Sequence, residues 1–434
     1  MSAIDPGVLG LRESRSRNAS GQLQCKQISI ESPATAKECV FSFDVDVPDV
    51  PEKGARVKVM YVGACYRLQR SNSVTSTGSG SGGSLCERER MNSFGSSSCI
   101  RDRVSSFSSS SCLRERVGSF GAAGLEPIPG SPVHKAIRES SLYPGYEVAG
   151  IVDCIGEEMD STPSDIQVGD HVIIYPYDDG ADGYSEYVSV PDIKYLVKLP
   201  TDMPMSVAAM LPTGALWALN TLQKAEPYVR KIFSERAPEG KCNVLVVGTG
   251  SLALWALRVA SYYFGTERQR VNVTVASLRD EGISIAHEFK KSCITGKASV
   301  SVVQWNEEVY EKQLIERTID ACGGYVDIVI DFCSTSRSLN RAIHCLSRGG
   351  HIFLGTETAE KLLPKFSRRA EDRGIQMEAV EGGSLEQLKL LVELVSSSKV
   401  IPPPFSVFPA EDACEVIKKI CNAEIHGHAI LQFS

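Results

Sequence analysis

Gly248, Gly250 and Ala253, in "VLVVGTGSLALWAL", stand at the spacing Gly-x-Gly-x-x-Ala between two apolar runs. At this spacing the first glycine allows a tight turn and the second lets backbone approach a pyrophosphate. The small third residue lets a strand and a helix pack closely. The helix that follows aims its first N–H groups and the positive end of its dipole at the phosphates. A strand before and a helix after are the context that gives this motif weight. Gly248, Gly250, Ser251, Leu252 and Ala253 are therefore candidate cofactor-binding residues. The competing reading is a tight strand-to-helix turn that holds no ligand.

The next apolar run, "VNVTVASLRDE", bears on which dinucleotide such a turn would hold. An acid at the tip of that strand would accept from a ribose 2′-hydroxyl. Ser277 stands there instead, with Arg279 two residues on. A neutral hydroxyl removes repulsion against a 2′-phosphate, and a guanidinium grips one through two N–H groups. Ser277 and Arg279 thus favour NADP(H) over NAD(H). Asp280 or Glu281 becomes the tip if the strand ends a few residues later, and Arg279 is then a solvated surface arginine.

These residues need elements to hold them. The chain of 434 residues is long enough for two or three domains, and its formal charge of −7 gives no basic face for nucleic acid. No apolar run approaches the ~20 residues of a membrane span, and the N-terminus lacks a secretory pattern. These features point to a cytoplasmic protein. Fourteen cysteines occur, yet no C-x-x-C pair, so zinc-ribbon spacing fails. "KQISIES", "ECVFSFDVDV" and "ARVKVMYVGACYR" alternate apolar and polar residues as half-buried strands do. "YPGYEVAGIVDCIG", "VGDHVIIYP" and "GYSEYVSVP" continue in short strands broken by Gly and Pro. From "MSVAAMLPTGALWALNTLQKA" onward, helices alternate with wholly apolar runs such as "YVDIVIDFC", which indicates a parallel α/β sheet.

The order of "VGACYR", "PGYEVAGIV", "VGDHV", "GYSEYVSVP", "AAMLPTGALWAL", "VLVVGTGSLA", "VDIVIDFC", "LSRGGHIFLGT" and "HGHAILQF" resembles the medium-chain dehydrogenase/reductase superfamily. The likeness covers about residues 25–68 and 140–434. It implies an α/β fold: a GroES-like β-barrel domain, split in sequence, and a Rossmann doubly wound parallel sheet. The boundaries expected are a disordered tail over 1–22 and a GroES-like domain over 23–200. A Rossmann domain follows over 201–365, with a return to the barrel over 366–434. The same likeness adds Gly355 and Thr356 to the cofactor-binding residues and implies a homodimer through a sheet-edge strand near "GGHIFLG".

Zinc-dependent members bind metal through a Cys, the His of a Gly-His-Glu and a third Cys or carboxylate. Cys65 matches the first position, but Tyr146 stands where the His belongs, and "MLPTG" offers no donor. One thiolate does not make a zinc site, even with Glu147 adjacent. The chain is therefore similar to the zinc-independent quinone and enal reductases, in which hydride passes between nicotinamide and an activated double bond or quinone of a small-molecule substrate. Tyr66 and Tyr146 are the candidate catalytic donors to a substrate carbonyl, with ordinary packing as the alternative for each. Trp217 falls where a small or hydroxyl residue usually lies near the nicotinamide. With that departure, a cofactor-binding pseudoenzyme that signals or scaffolds is the second reading.

Residues 69–127 form a Ser-, Gly- and Arg-rich insert that is expected to be disordered, because it has too little apolar surface to offset chain ordering. Inside it Arg-x-Arg-x-x-Ser-Phe occurs three times, with Ser93, Ser106 and Ser119 each 13 residues from the next. The motif resembles the substrates of basophilic AGC-type protein kinases, so these serines are candidate phosphorylation sites. A phospho-reading partner would then be the reader. Repeat expansion in a tolerated loop is the competing reading.

Overall fold

The computed structural model describes residues 22–30, 40–64, 145–157, 165–177, 183–248, 250–264, 270–277, 300–305, 310–331, 335–421, 424–425 and 427–433. The tail, the serine-rich insert, Cys65, Tyr66, Arg279, Asp280, Glu281, Ser93, Ser106 and Ser119 lie outside them.

The fold is α/β, with a parallel sheet and a separate β-rich domain. β1 (Gln24–Ile30) pairs antiparallel with β2 (Val40–Asp46), and β1 is bridged to the β-rich domain between Gln27 and Ser185. β3 (Ala55–Gly63), β4 (Val148–Ile155), β5 (His171–Ile174), β6 (Tyr187–Val190) and β7 (Leu196–Lys198) build the β-rich domain. The alternating burial of β3 puts Val57 and Val59 into a core with Val152 and Val172.

Leu211–Ala215 forms a π-turn, in which the Leu216 N–H bonds to Leu211 O, and α1 (Leu216–Glu235) follows it. Pro212, which has no N–H to donate, interrupts the helical ladder here. Single π-turns of this kind are frequent at functional sites.

The parallel sheet is built of β8 (Cys242–Val247), β9 (Val271–Ser277), β10 (Val300–Gln304), β11 (Val326–Asp331), β12 (Leu346–Gly355) and β13 (Gln376–Val380). All residues of β8 and β11 are buried, as expected of central strands covered on both faces. The helices of this part are α2 (Ser251–Tyr263), α3 (Glu311–Cys322), α4 (Ser336–Cys345), α5 (Thr356–Asp372) and α6 (Leu385–Ser396). Thr335 and Ser338 form a reciprocal capping box that starts α4, and Gly323, at φ 72°, ends α3. The chain then returns to the β-rich domain through β14 (Phe405–Pro409), α7 (Ala413–Cys421) and β15 (His428–Gln432). β15 lies between β14 and β3.

The strand order β10-β9-β8-β11-β12-β13 is that of a dinucleotide-binding doubly wound sheet, with its reversal between β8 and β11. Two expectations need correction. The parallel sheet does not end at residue 365, because β13 pairs in register with β12, His351 opposite Gln376 through Gly355 opposite Val380. The "GGHIFLG" strand proposed for self-association is β12, which is bonded on both sides, to β11 and β13. Its backbone groups have no edge to offer, and the open edge on that side is β13.

Burial pushes the Cys242 and Cys345 thiols up to about 12, far from nucleophilic. Cys154 is only half-buried.

Candidate functional site

The crevice at the reversal point is lined on one side by the turn after β8. Gly248 has φ 117°, a conformation in which a side chain would be strained. Its N–H bonds to Ala276 O at the end of β9, which fixes the turn to the sheet. Gly250 precedes α2, and among the described residues no side chain caps the first-turn N–H groups of the helix. Ser251 and Leu252 open α2 partly exposed, and Ala253 is buried in it. These are the donors a diphosphate requires.

Ser277 closes β9 and is fully buried, with the Trp305 N–H on its carbonyl at 2.6 Å. Its side chain is enclosed, and the residues that follow it, Arg279, Asp280 and Glu281 among them, lie outside the described ones. Gly355 ends β12 and Thr356 begins α5. Among the described residues Thr356 Oγ1 is buried without a hydrogen-bond partner, at the carboxyl end of the sheet. Within that set, a glycine turn, uncapped helical amides and an orphan hydroxyl together fit a dinucleotide.

Trp217 reaches the same place. A Cβ on Gly355 would sit 2.5 Å from Trp217 Cη2 and 2.6 Å from Cζ2, so the indole turns that edge toward the glycine, and its Nε1 donates to Val380 O at 3.0 Å. Trp255 is wholly buried in α2.

The opposite side of the crevice holds a cluster that sequence reasoning did not assemble. Glu147, one residue before β4, is only 1% exposed. The Thr213 hydroxyl, from the π-turn, donates to its Oε1 in a short contact. His428 Nε2, at the start of β15, lies 2.7 Å from its Oε2, and His428 Nδ1 lies 2.6 Å from Ser251 Oγ. Gly63, at the end of β3, makes room: a Cβ there would overlap Glu147 Oε2. The Gly63 N–H bonds to Glu147 O at 2.8 Å, and Tyr184 donates its hydroxyl to Gly63 O at 3.1 Å.

Three strand ends and the π-turn therefore meet on one carboxylate, and the imidazole carries the link across to α2. Tyr146, the candidate donor beside Glu147, is half-buried. Its companion Tyr66 is not among the described residues. The sequence did carry signals for the cluster, in the Glu of "PGYE" and the second His of "HGHAILQF". Nothing in the linear order joins positions 281 residues apart.

Among the described residues no three His, Cys, Asp or Glu side chains gather to hold a metal. Glu147, the one carboxylate beside the expected position, has both oxygens engaged by Thr213 and His428. The described residues do not fit a zinc site. Also among them, no helix is long and apolar enough to cross a membrane.

No family model matches the chain. An NAD-dependent alcohol dehydrogenase of Sulfolobus acidocaldarius is 23% identical over 252 residues, which span 58% of this chain and 64% of that protein, just under two thirds of its length. A zinc-type alcohol dehydrogenase-like protein of Schizosaccharomyces pombe is 21% identical over 67% of this chain and 82% of its own. The NADP(+)-dependent D-arabinose 1-dehydrogenase of Saccharolobus solfataricus is 23% identical over 66% of this chain and 80% of its own. Among solved structures, a quinone oxidoreductase from Coxiella burnetii superposes with a TM-score of 0.59 at 18% identity, covering 95% of this chain and all of that one. These likenesses establish the fold.

Proposed function

We propose that this chain is a pyridine-nucleotide oxidoreductase that passes hydride between NADP(H) and a small carbonyl-activated substrate, such as a quinone or an enal, without zinc. The observation that carries the reading is Gly248 at the end of β8 and Gly250 at the start of α2, with no capping side chain among the described residues, at the reversal point of a doubly wound sheet. The dinucleotide supplies the hydride chemistry. The Gly248–Ser251 turn and α2 bind phosphates, and Thr356 Oγ1 offers a partner deeper along the sheet end. Tyr146 is the donor proposed for the substrate carbonyl. The preference for NADP(H) rests on Ser277, which places no carboxylate at the tip of β9, and on Arg279. The dehydrogenase and oxidoreductase names of the relatives support the reaction class, and they include both NAD and NADP users.

Titration with NADPH and NADH by intrinsic fluorescence tests the reading. Tighter NADPH binding is expected, together with nucleotide oxidation in the presence of a quinone or enal panel. If neither nucleotide binds, the redox reading is abandoned.

Trp217 favours a second reading. Its indole covers Gly355 at the end of β12, so a nucleotide-binding protein without turnover fits the same crevice. Binding of NADPH with no oxidation across the panel would select it. In either case we propose Ser93, Ser106 and Ser119 as kinase sites on the insert, with mass spectrometry after treatment with a basophilic kinase as the check. Three phosphates would add about −4.5 to −6 of charge to that segment.

A further inference from the structure

The imidazole of His428 spans two groups from different sides of the crevice. Nε2 meets Glu147 Oε2 at 2.7 Å and Nδ1 meets Ser251 Oγ at 2.6 Å. The ring is 7% exposed, and its strand neighbour on β14 is the apolar Phe405. Among the described residues Glu147 is the titratable side chain bonded to it. Ser251 of α2 is a neutral hydroxyl, and so is Thr213 behind Glu147.

The hydrogen positions follow from donor chemistry. A carboxylate only accepts, so Nε2 carries a hydrogen. Nδ1 then has two states. As a lone pair it takes the hydrogen of the Ser251 hydroxyl, and the serine oxygen turns only lone pairs toward the end of α2. As an N–H it donates to Ser251 Oγ, and the serine hydrogen is released to point at an anion. A diphosphate oxygen is itself only an acceptor, so it is repelled by the first arrangement and bonded by the second. The positive ring also adds attraction for the anion.

We propose that His428 is a positioning residue that makes nucleotide binding proton-linked. When phosphates dock at the start of α2, the ring gains a proton from solvent at Nδ1, and the Ser251 hydroxyl turns from the ring to the phosphate. No bond between heavy atoms forms or breaks. The effect is reciprocal, so a protonated ring binds the nucleotide more tightly. This rests on the dinucleotide reading above.

Calorimetry of NADPH and of NADH binding to the full chain tests it, at one pH and in buffers of different ionisation enthalpy. The slope of heat against buffer enthalpy counts protons taken up. Subtracting the slope of His428→Arg removes protons carried by the nucleotide itself, since arginine keeps a fixed charge and donors for both neighbours. The wild-type slope is expected to exceed that of His428→Arg by up to about one proton per nucleotide. By the same linkage, a fixed charge in His428→Arg should bind NADPH at least as tightly as the wild type. Ser251→Ala, a small change at a partly exposed helix start, should lose most of the excess.

Binding heat with equal slopes in wild type and His428→Arg overturns the proton linkage and leaves the dinucleotide reading standing. An excess that survives in Ser251→Ala overturns the role of the hydroxyl. Absence of any binding heat overturns both.

Discussion

Two buried carboxylates sit at opposite ends of the molecule's structural logic. Asp327, near the start of β11, is 3% exposed, and Glu147, before β4, is 1% exposed. Asp327 receives Arg236 Nη1 and Nη2 at 2.9 and 2.5 Å, the Asn243 backbone N–H at 2.9 Å and the Ser347 hydroxyl at 3.3 Å. A permanently charged, two-pronged donor holds it, far from the carboxyl ends of the strands where ligands enter. Among the described residues no arginine bonds to Glu147. Its partners are a threonine and a histidine, and the histidine leads on to the helix start where phosphates are proposed to bind. Equal burial thus serves two ends: a fixed cation makes a rivet, and a titratable ring makes a connection that can change state.

The sharpest way to break this comparison is Asp327→Ala. It leaves the Asn243 N–H without its acceptor and the part-exposed Arg236 without its carboxylate, and it should cost about 2–3 kcal/mol in urea unfolding while leaving NADPH affinity unchanged. A changed affinity would mean that the rivet reaches the crevice. Next, bulk at Gly250 in Gly250→Trp should weaken NADPH at least about 100-fold, or ~2.7 kcal/mol, in a fluorescence titration. Unaltered binding would remove the phosphates from the turn.

Glu147→Gln should cost less stability than the rivet, about 1–2 kcal/mol, yet alter nucleotide affinity because it deprives His428 of its carboxylate. An effect on stability alone would make Glu147 a second rivet. The smallest expected effect concerns Glu311, on the flank of the sheet. Hydrogen bonds from Arg341 and then Arg337, working against some desolvation, hold its carboxyl down to about 2 from an ordinary 4.5. A depressed folded value stabilises above the unfolded value and fades as pH falls toward the folded one. Glu311→Gln should therefore cost about 1 kcal/mol at neutral pH, since the group is partly exposed. Variant and wild type should converge as pH drops from 4.5 toward 2, followed by denaturant midpoints.

Periodicity made most of the architecture legible before any coordinates. Continuous apolar runs announced β8 and β11, and the glycine spacing announced the turn between β8 and α2. β13 was missed because "QMEAV" is short and half polar, as an edge strand is, and nothing local ties it to β12. Trp217 was flagged as a departure, but its rest against Gly355 depends on α1 crossing the end of β12.

What the sequence determined alone is what short-range sterics and alternation encode: strands, helices, and a turn that only glycine can make. What tertiary structure decided is the meeting of Gly63, Glu147, Thr213, Ser251 and His428. Hydrogen bonds act over about 3 Å, and these residues come within that reach only after strands distant in the chain have paired and closed upon one another.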